Sequence, residues 1–269
     1  MDSIELVRNR YDEMVQNEWE RLVRHKIEFE INKRFIDRYI HAGDSVLDLG
    51  GGPGRYALHL AKRGCALTLA DLSPNNVSFA KEKAKECGLK ITGFNLDSRD
   101  LKPFSNQSFD HVLLMGPLYH LRSENDRVRT VEECLRVLKP GGTLYAAFIS
   151  SYAGLLWTLK HDQPAIVRPD RSDWVFEVFL DDTDFSGTAF SENYFVRHDD
   201  ILPFFSQFPL TALHLIGSES IFSPYEQGLL AQPPAVFDAW IDFGVRVCER
   251  EDLLSFAEHY LYIGRRNKK

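Results

Sequence analysis

The stretch Ser45-Val46-Leu47-Asp48-Leu49-Gly50-Gly51-Gly52-Pro53-Gly54 decides the fold of this chain. An apolar run that passes straight into glycines marks the end of a parallel strand, a turn made on glycine backbone and the entry into a helix. Main-chain N–H groups at such a turn face a ligand. About twenty residues further on, Leu69-Ala70-Asp71 closes a second apolar run, which places a carboxylate where it can hold two ribose hydroxyls.

Outward from this turn, residues 44–150 alternate regularly. Strands are predicted near 45–50, 66–71, 90–95, 109–115 and 143–149, with helices near 54–63, 74–87 and 123–138. Strand, helix, strand is the pattern of a parallel sheet with right-handed crossovers, so the fold class is α/β. The helix ending at Leu138-Lys139 is read as closed by Pro140-Gly141-Gly142. Ahead of the sheet, residues 2–40 carry apolar side chains at near-helical spacing, and one or two amphipathic helices are expected, with Gly43 as a stop. Beyond residue 150 the rhythm breaks. The segment 151–195 gathers Trp157, Trp174, Phe176, Phe179, Phe185, Phe190, Tyr194 and Phe195 among acidic and turn residues and reads as an insertion packed over something. A short helix near 198–207, a strand near 211–217, a helical stretch near 234–257 and a last strand near 259–265 complete the chain.

Composition narrows the function. The chain has 269 residues and a net charge of −7, with Lys and Arg scattered rather than gathered in a stripe, so neither nucleic acid nor an anionic membrane is expected as a partner. Cys65, Cys87, Cys134 and Cys248 form no C-x-x-C or Cys/His cluster and read as reduced thiols. The first twenty residues are interrupted by charges, and no apolar run is long enough to span a membrane, so a cytoplasmic location is expected. Asp181-Asp182-Thr183-Asp184 reads as a solvated loop, and no metal is expected.

The glycines at 50, 52 and 54 give G-x-G-x-G, and Arg55 stands where a dinucleotide fingerprint has its third glycine. With Asp48 ahead of it, this resembles the first motif of the class I S-adenosylmethionine-dependent methyltransferases. The likeness continues in order. Asp71 resembles the ribose-binding acid, with Leu72 against adenine; Asn95-Leu96-Asp97-Ser98 resembles the adenine-edge motif; Met115-Gly116-Pro117-Leu118-Tyr119-His120-Leu121 is similar to the fourth-strand motif of small-molecule members; and Arg136-Val137-Leu138-Lys139-Pro140-Gly141-Gly142 resembles the turn before the fifth strand. Together these cover about residues 44–150.

The resemblance implies a Rossmann-like three-layer sandwich with a mainly parallel seven-stranded sheet whose last strand is antiparallel. The implied organisation is an N-terminal helical cap (1–41), a cofactor-binding core (42–150), a lid or acceptor-site insertion (151–195) and a C-terminal part of the sheet (196–269) with a helical insertion at 220–258. It implies S-adenosyl-L-methionine as cofactor, with S-adenosyl-L-homocysteine as product. The implied contacts are Tyr11, His25, Asp48, Gly50, Gly51, Gly52, Asp71, Leu72, Asp97, Ser98, Met115 and Tyr119. Tyr11, Trp19, Arg21 and His25 resemble a cap segment that closes over the cofactor, although a packed aromatic stripe reads equally well. His120 and Tyr119, at the carboxyl edge of the sheet, are the candidates for contact with the reacting groups.

Methyl transfer from a sulfonium needs alignment and exclusion of water more than acid or base, so the missing catalytic triad is no objection. The expected partner is a small-molecule acceptor, and the expected state a monomer or homodimer. An RNA or protein methyltransferase, a nicotinamide dehydrogenase and a non-catalytic cofactor-binding regulator are the competing readings.

Overall fold

The computed structural model describes residues 3–168 and 174–268; residues 169–173 of the insertion and the last residue of the charged tail lie outside them. Three helices, α1 (Ser3–Glu13), α2 (Val15–Arg24) and α3 (Lys26–Ile36), come before the sheet. The core then runs β1 (Ser45–Leu49), α4 (Arg55–Lys62), β2 (Ala66–Asp71), α5 (Pro74–Glu86), β3 (Ile91–Asn95), β4 (Phe109–Leu114), α6 (Glu124–Val137) and β5 (Leu138–Ile149). The insertion contains α7 (Ala153–His161), α8 (Trp174–Asp181) and a hairpin of β6 (Phe185–Thr188) and β7 (Glu192–Phe195). The chain ends with α9 (His198–Ser206), β8 (Leu210–Gly217), α10 (Glu226–Leu230), α11 (Pro234–Val247), α12 (Glu251–Leu254) and β9 (His259–Arg266).

The described residues form a seven-stranded sheet in the order β3-β2-β1-β4-β5-β9-β8. Strand β9 runs antiparallel to both its neighbours, and the other pairings are parallel, as the resemblance implies. Strand order reverses between β1 and β4, and ligands of open α/β sheets bind outside the carboxyl ends of the strands at such a switch point. Because β9 is reversed, its first residue pairs with the last residue of β5, Ile149 with His259. The start of β9 therefore lies at the same sheet edge as the glycine turn.

Helices cover both faces, so the central strands are apolar on both sides. Val46, Leu47 and Leu49 of β1 are at most 1% exposed. On one face Ile27, Ile31 and Phe35 of α3, four residues apart, pack into the cluster that holds Val46, Leu67 and Leu113. Each such side chain stabilises the fold by about 2 kcal/mol through burial. On the other face Phe205 of α9 stacks on Tyr262 of β9 at 3.8 Å between centroids. No helix among the described residues is long and apolar enough to cross a membrane.

Two boundaries differ from the sequence reading. The N-terminal segment breaks into three helices, at Met14 and His25, positions without proline or glycine to announce them. Helix α6 ends at Val137, and Pro140-Gly141-Gly142 lies inside a longer β5, where the register against β4 shifts between Phe109 and His111. Gly141 takes φ +80, and a Cβ on Gly142 would come within 2.5 Å of the Asp110 carbonyl, so the glycines form an irregularity of the strand rather than a turn before it.

The glycines of the β1–α4 turn have distinct duties. Gly54 takes φ +87, and a Cβ there would press to 2.9 Å against Ala80 of α5, so Gly54 lets the two helices approach. Gly52 takes φ +53 with nothing within 4 Å of its added Cβ. Gly54→Ala should therefore cost about 3 kcal/mol, from strain and overpacking, against about 1 kcal/mol for Gly52→Ala. Denaturant unfolding of the two variants checks this, and equal costs would contradict it.

Candidate active site

Past the end of β1 the backbone turns back on itself: Gly50 N–H donates to the Ala70 carbonyl at 2.7 Å, and Gly54 N–H to the Gly51 carbonyl at 3.0 Å. Gly50 has positive φ, and its added Cβ would meet Pro117 at 2.4 Å, so no larger residue fits beneath the β4 loop. Gly51 is confined by Asp48, whose Cγ would lie 2.7 Å from a Cβ. Gly52 N–H donates to Asp71 Oδ2 at 2.8 Å. The other oxygen of that carboxylate accepts from Ser73 N–H at 2.8 Å and from the Asn76 amide at 3.2 Å. Asp71 thus braces both turns while lining a cavity, and burial pushes its carboxyl above the ordinary value.

That cavity, about 1030 Å³ including the solvent at its open mouth, lies at the carboxyl edge of β1, β2 and β4. Its wall includes Tyr11, Asp48, Gly50, Gly51, Gly52, Asp71, Leu72, Asp97, Ser98, Met115, Tyr119 and His120. His25, which the resemblance places at the cofactor, is not on that wall. It sits at the α2–α3 junction, and its Nδ1 lies 3.3 Å from Glu226 of α10, so it joins the cap to the C-terminal helices. Arg21 of the same helix reaches the cavity instead, and Glu18, Leu22, Arg55, Tyr56 and Asn76 line it too. Arg21 belongs to the cap segment the resemblance names, whereas Glu18, Leu22, Tyr56 and Asn76 had no readable signal beyond helical spacing. Arg55, the residue in place of a third glycine, lays its guanidinium 3.6 Å over the Trp19 ring and donates to the Trp19 carbonyl at 2.8 Å, so it clamps α2 onto α4.

Three observations describe what the cavity is built to hold. Asp48 is fully buried and accepts from Ala57 N–H at 3.1 Å, while its Oδ1 has no hydrogen-bond partner among the described residues. Burial first, and the Asp71 charge second, push its carboxyl to about 7 against the pull of that one N–H. A cationic group in the cavity would relieve it. Leu72, Leu96 and Leu121 add apolar surface to the lining, which also includes Ser98 and Asp97. Asp97 is held by Arg99 through contacts of 2.7 to 3.2 Å; burial opposes ionisation there, but the Arg99 hydrogen bonds outweigh it and keep the carboxyl below the usual range.

His120 links three elements. Its Nε2 accepts from Tyr11 Oη of α1 at 2.7 Å, and Nδ1 donates to the Glu192 carbonyl of β7 at 3.1 Å. Burial lowers its pKa to about 4, so the ring is neutral at pH 7 with both nitrogens committed. The structure makes it a latch between cap, core and hairpin and leaves no ring nitrogen for a reacting proton. Tyr119 Oη donates to the Met115 carbonyl at 3.2 Å and remains on the wall.

A second cavity, about 1300 Å³ including the solvent at its open mouth, lies under the insertion. It is walled by Trp157 of α7, Trp174 and Phe176 of α8, Phe190 and Phe195 of the hairpin, and His259. Phe190 meets His120 edge-to-face at 5.9 Å, so a residue of one lining touches a residue of the other. Among the described residues Glu28, Glu219 and His259 form the one His/carboxylate trio whose ligand atoms lie within 4.8 Å of one another.

The fold and this edge of the sheet define an α/β domain with a cavity at its topological switch point. Residues 46–142 match the methyltransferase domain family model. A ubiquinone biosynthesis O-methyltransferase of Cereibacter sphaeroides is 28% identical over 164 residues, 55% of this chain and 65% of that protein. A demethylmenaquinone methyltransferase of Tropheryma whipplei is 34% identical over 105 residues, 39% of this chain and 41% of that one. The chain thus spans less than two thirds of the length of these relatives. The magnesium protoporphyrin IX methyltransferase of Synechocystis, solved with bound S-adenosylhomocysteine, shares the fold at TM-score 0.60 and 15% identity, over 99% of this chain and 100% of that one. Through this core the chain is similar to the methyltransferase domain family.

The Asp48 geometry carries a pH consequence. Its pKa in the fold lies above the ordinary carboxylate value, so the cofactor-free protein loses stability as pH rises from about 4 through about 7. Asp48→Asn should abolish that loss in thermal unfolding and weaken S-adenosylmethionine binding by at least about tenfold. Unchanged affinity in the variant would refute a cation partner for Asp48.

Proposed function

We propose that the protein transfers a methyl group from S-adenosylmethionine to a small, apolar, flat acceptor held in the second cavity. One observation carries the reading: a glycine turn braced by Asp71 and a buried Asp48 with a vacant hydrogen-bonding oxygen share one cavity under the N-terminal helices. The residues fit the cofactor. The turn's N–H groups and Asp71 suit the ribose side, Leu72, Leu96 and Ser98 the base, and Asp48 and Arg21 the ammonium and carboxylate of the amino-acid tail. When bound, S-adenosylmethionine supplies a methyl group already activated on sulfur, so the chain's task is to align the acceptor and keep water out.

The contact of His120 with Phe190 sets the linings of the two cavities side by side, and the aromatic lining of the second suits a planar molecule. The two curated relatives are named for quinone biosynthesis, which favours the same kind of acceptor. The net charge of −7 and scattered basic residues favour a small molecule over nucleic acid, and a cytoplasmic monomer or homodimer completes the proposal.

Calorimetry with S-adenosylhomocysteine and with NADH tests the cofactor. Binding of the first alone, lost in Gly52→Val, is expected, because a side chain there enters the cavity. Binding of NADH, or full affinity in Gly52→Val, would overturn the assignment.

A further inference from the structure

The second cavity contains one histidine whose setting the cofactor does not explain. His259 opens β9, opposite Ile149 at the end of β5, and its ring lines the cavity beneath Trp157, Trp174 and Phe190. One carboxylate fixes it twice: Glu219 Oε1 lies 2.5 Å from Nδ1, and Glu219 Oε2 accepts from the His259 N–H at 3.1 Å. Glu219 is 2% exposed, so this brace is shielded from water. With Nδ1 donating to Glu219, the neutral ring has Nε2 as its proton acceptor. The polar contacts of the ring with described residues all engage Nδ1.

The same ring is tied to the cofactor side. Glu28 Oε2 lies 3.9 Å from Nδ1, and that oxygen accepts from Arg21 at 2.8 Å, while Arg21 lines the first cavity. A single carboxylate therefore stands between the histidine and a residue on the cofactor wall.

Resting on the methyltransferase reading above, we propose that His259, oriented by Glu219, takes the proton of the acceptor, and that the acceptor is a hydroxyl on a flat apolar frame, a phenol or an enol. The hydroxyl proton passes to Nε2 of neutral His259. An oxygen lone pair forms the new bond to the methyl carbon, and the S–CH3 bonding pair stays on sulfur, which becomes a neutral thioether. The imidazolium then releases its proton to solvent.

The charges around the ring agree with this task. Burial alone would lower its pKa, but Glu28 from α3 and Glu219 outweigh that and raise it to about 9, with Arg21 from α2 opposing them. Glu258, adjacent in the chain, is paired with Lys160 of α7, and Asp162 and Arg168, bridged to each other, are the other charged groups on the cavity wall among the described residues. A base in this range is matched to a phenolic proton. It becomes competent as pH rises, so turnover should climb through about pH 9. A cationic amine would instead meet the imidazolium and gain only ring faces.

4-Nitrophenol, whose phenolate has its own absorbance, tests the proposal with the full chain saturated by S-adenosylhomocysteine. Wild type should bind it and favour the phenolate, shifting its ionisation by about tenfold. His259→Gln should remove the shift while calorimetric S-adenosylhomocysteine affinity is retained. Glu219→Gln, the second variant should the first fail to fold, should reduce the shift and move the alkaline limb to lower pH, which a merely structural role would not do. No nitrophenol binding by wild type, an unchanged shift in a folded variant, tighter binding of trimethylanilinium, or a shift abolished by chelator and restored by Mg2+ would each overturn it. Loss of S-adenosylhomocysteine binding by wild type would instead strike the underlying methyltransferase reading.

Discussion

The carboxylate of Asp71 holds the geometry on which the rest of the site depends. It accepts from Gly52 in the turn after β1 and from Ser73 and Asn76 in the turn after β2, so two neighbouring strand ends are fixed by one buried group. Burying a carboxylate is costly, and three N–H donors offset that cost. They also fix the distance between the glycine backbone and the acid. Parallel pairing of Leu49 with Ala70 sets the register that makes this contact available, and Gly50, Gly51 and Gly54 keep side chains from prising it apart.

The N-terminal helices are anchored to the same elements. Asp12 of α1 accepts from Ser73 Oγ at 2.5 Å, Tyr11 from that helix donates to His120, and Arg55 holds Trp19 of α2. These attachments meet the β1, β2 and β4 loops, so the cap helices and the loops wall the cavity together. Few apolar side chains of α1 and α2 are buried, Val7 being one, which leaves these polar anchors to decide how firmly the cap closes.

Much of this was legible in the sequence, and the reason is physical. A strand buried on both faces reads as an unbroken apolar run, and positive φ at Gly50, Gly52 and Gly54 demands glycine, so β1 and its turn announce themselves. The start of β5 was hidden because Pro140-Gly141-Gly142 has the same composition whether it makes a turn or an irregular strand. His25, which the resemblance sets at the cofactor, lies at the α2–α3 junction beside Glu226, because the chain bends there at a point no proline or glycine marks. Glu28, Glu219 and His259 carried no local signal, since a buried ion pair between distant segments looks like surface charge in each segment taken alone.

Hydrogen–deuterium exchange with and without S-adenosylhomocysteine reads the central claim, that the glycine turn, Asp71 and the cap form one cofactor site. Slowed exchange confined to residues 50–54, 71–76, 95–99 and helices α1 and α2, with α9 and β8 unchanged, is the predicted result. Protection absent from the glycine turn, or spread evenly over the sheet, would contradict the account.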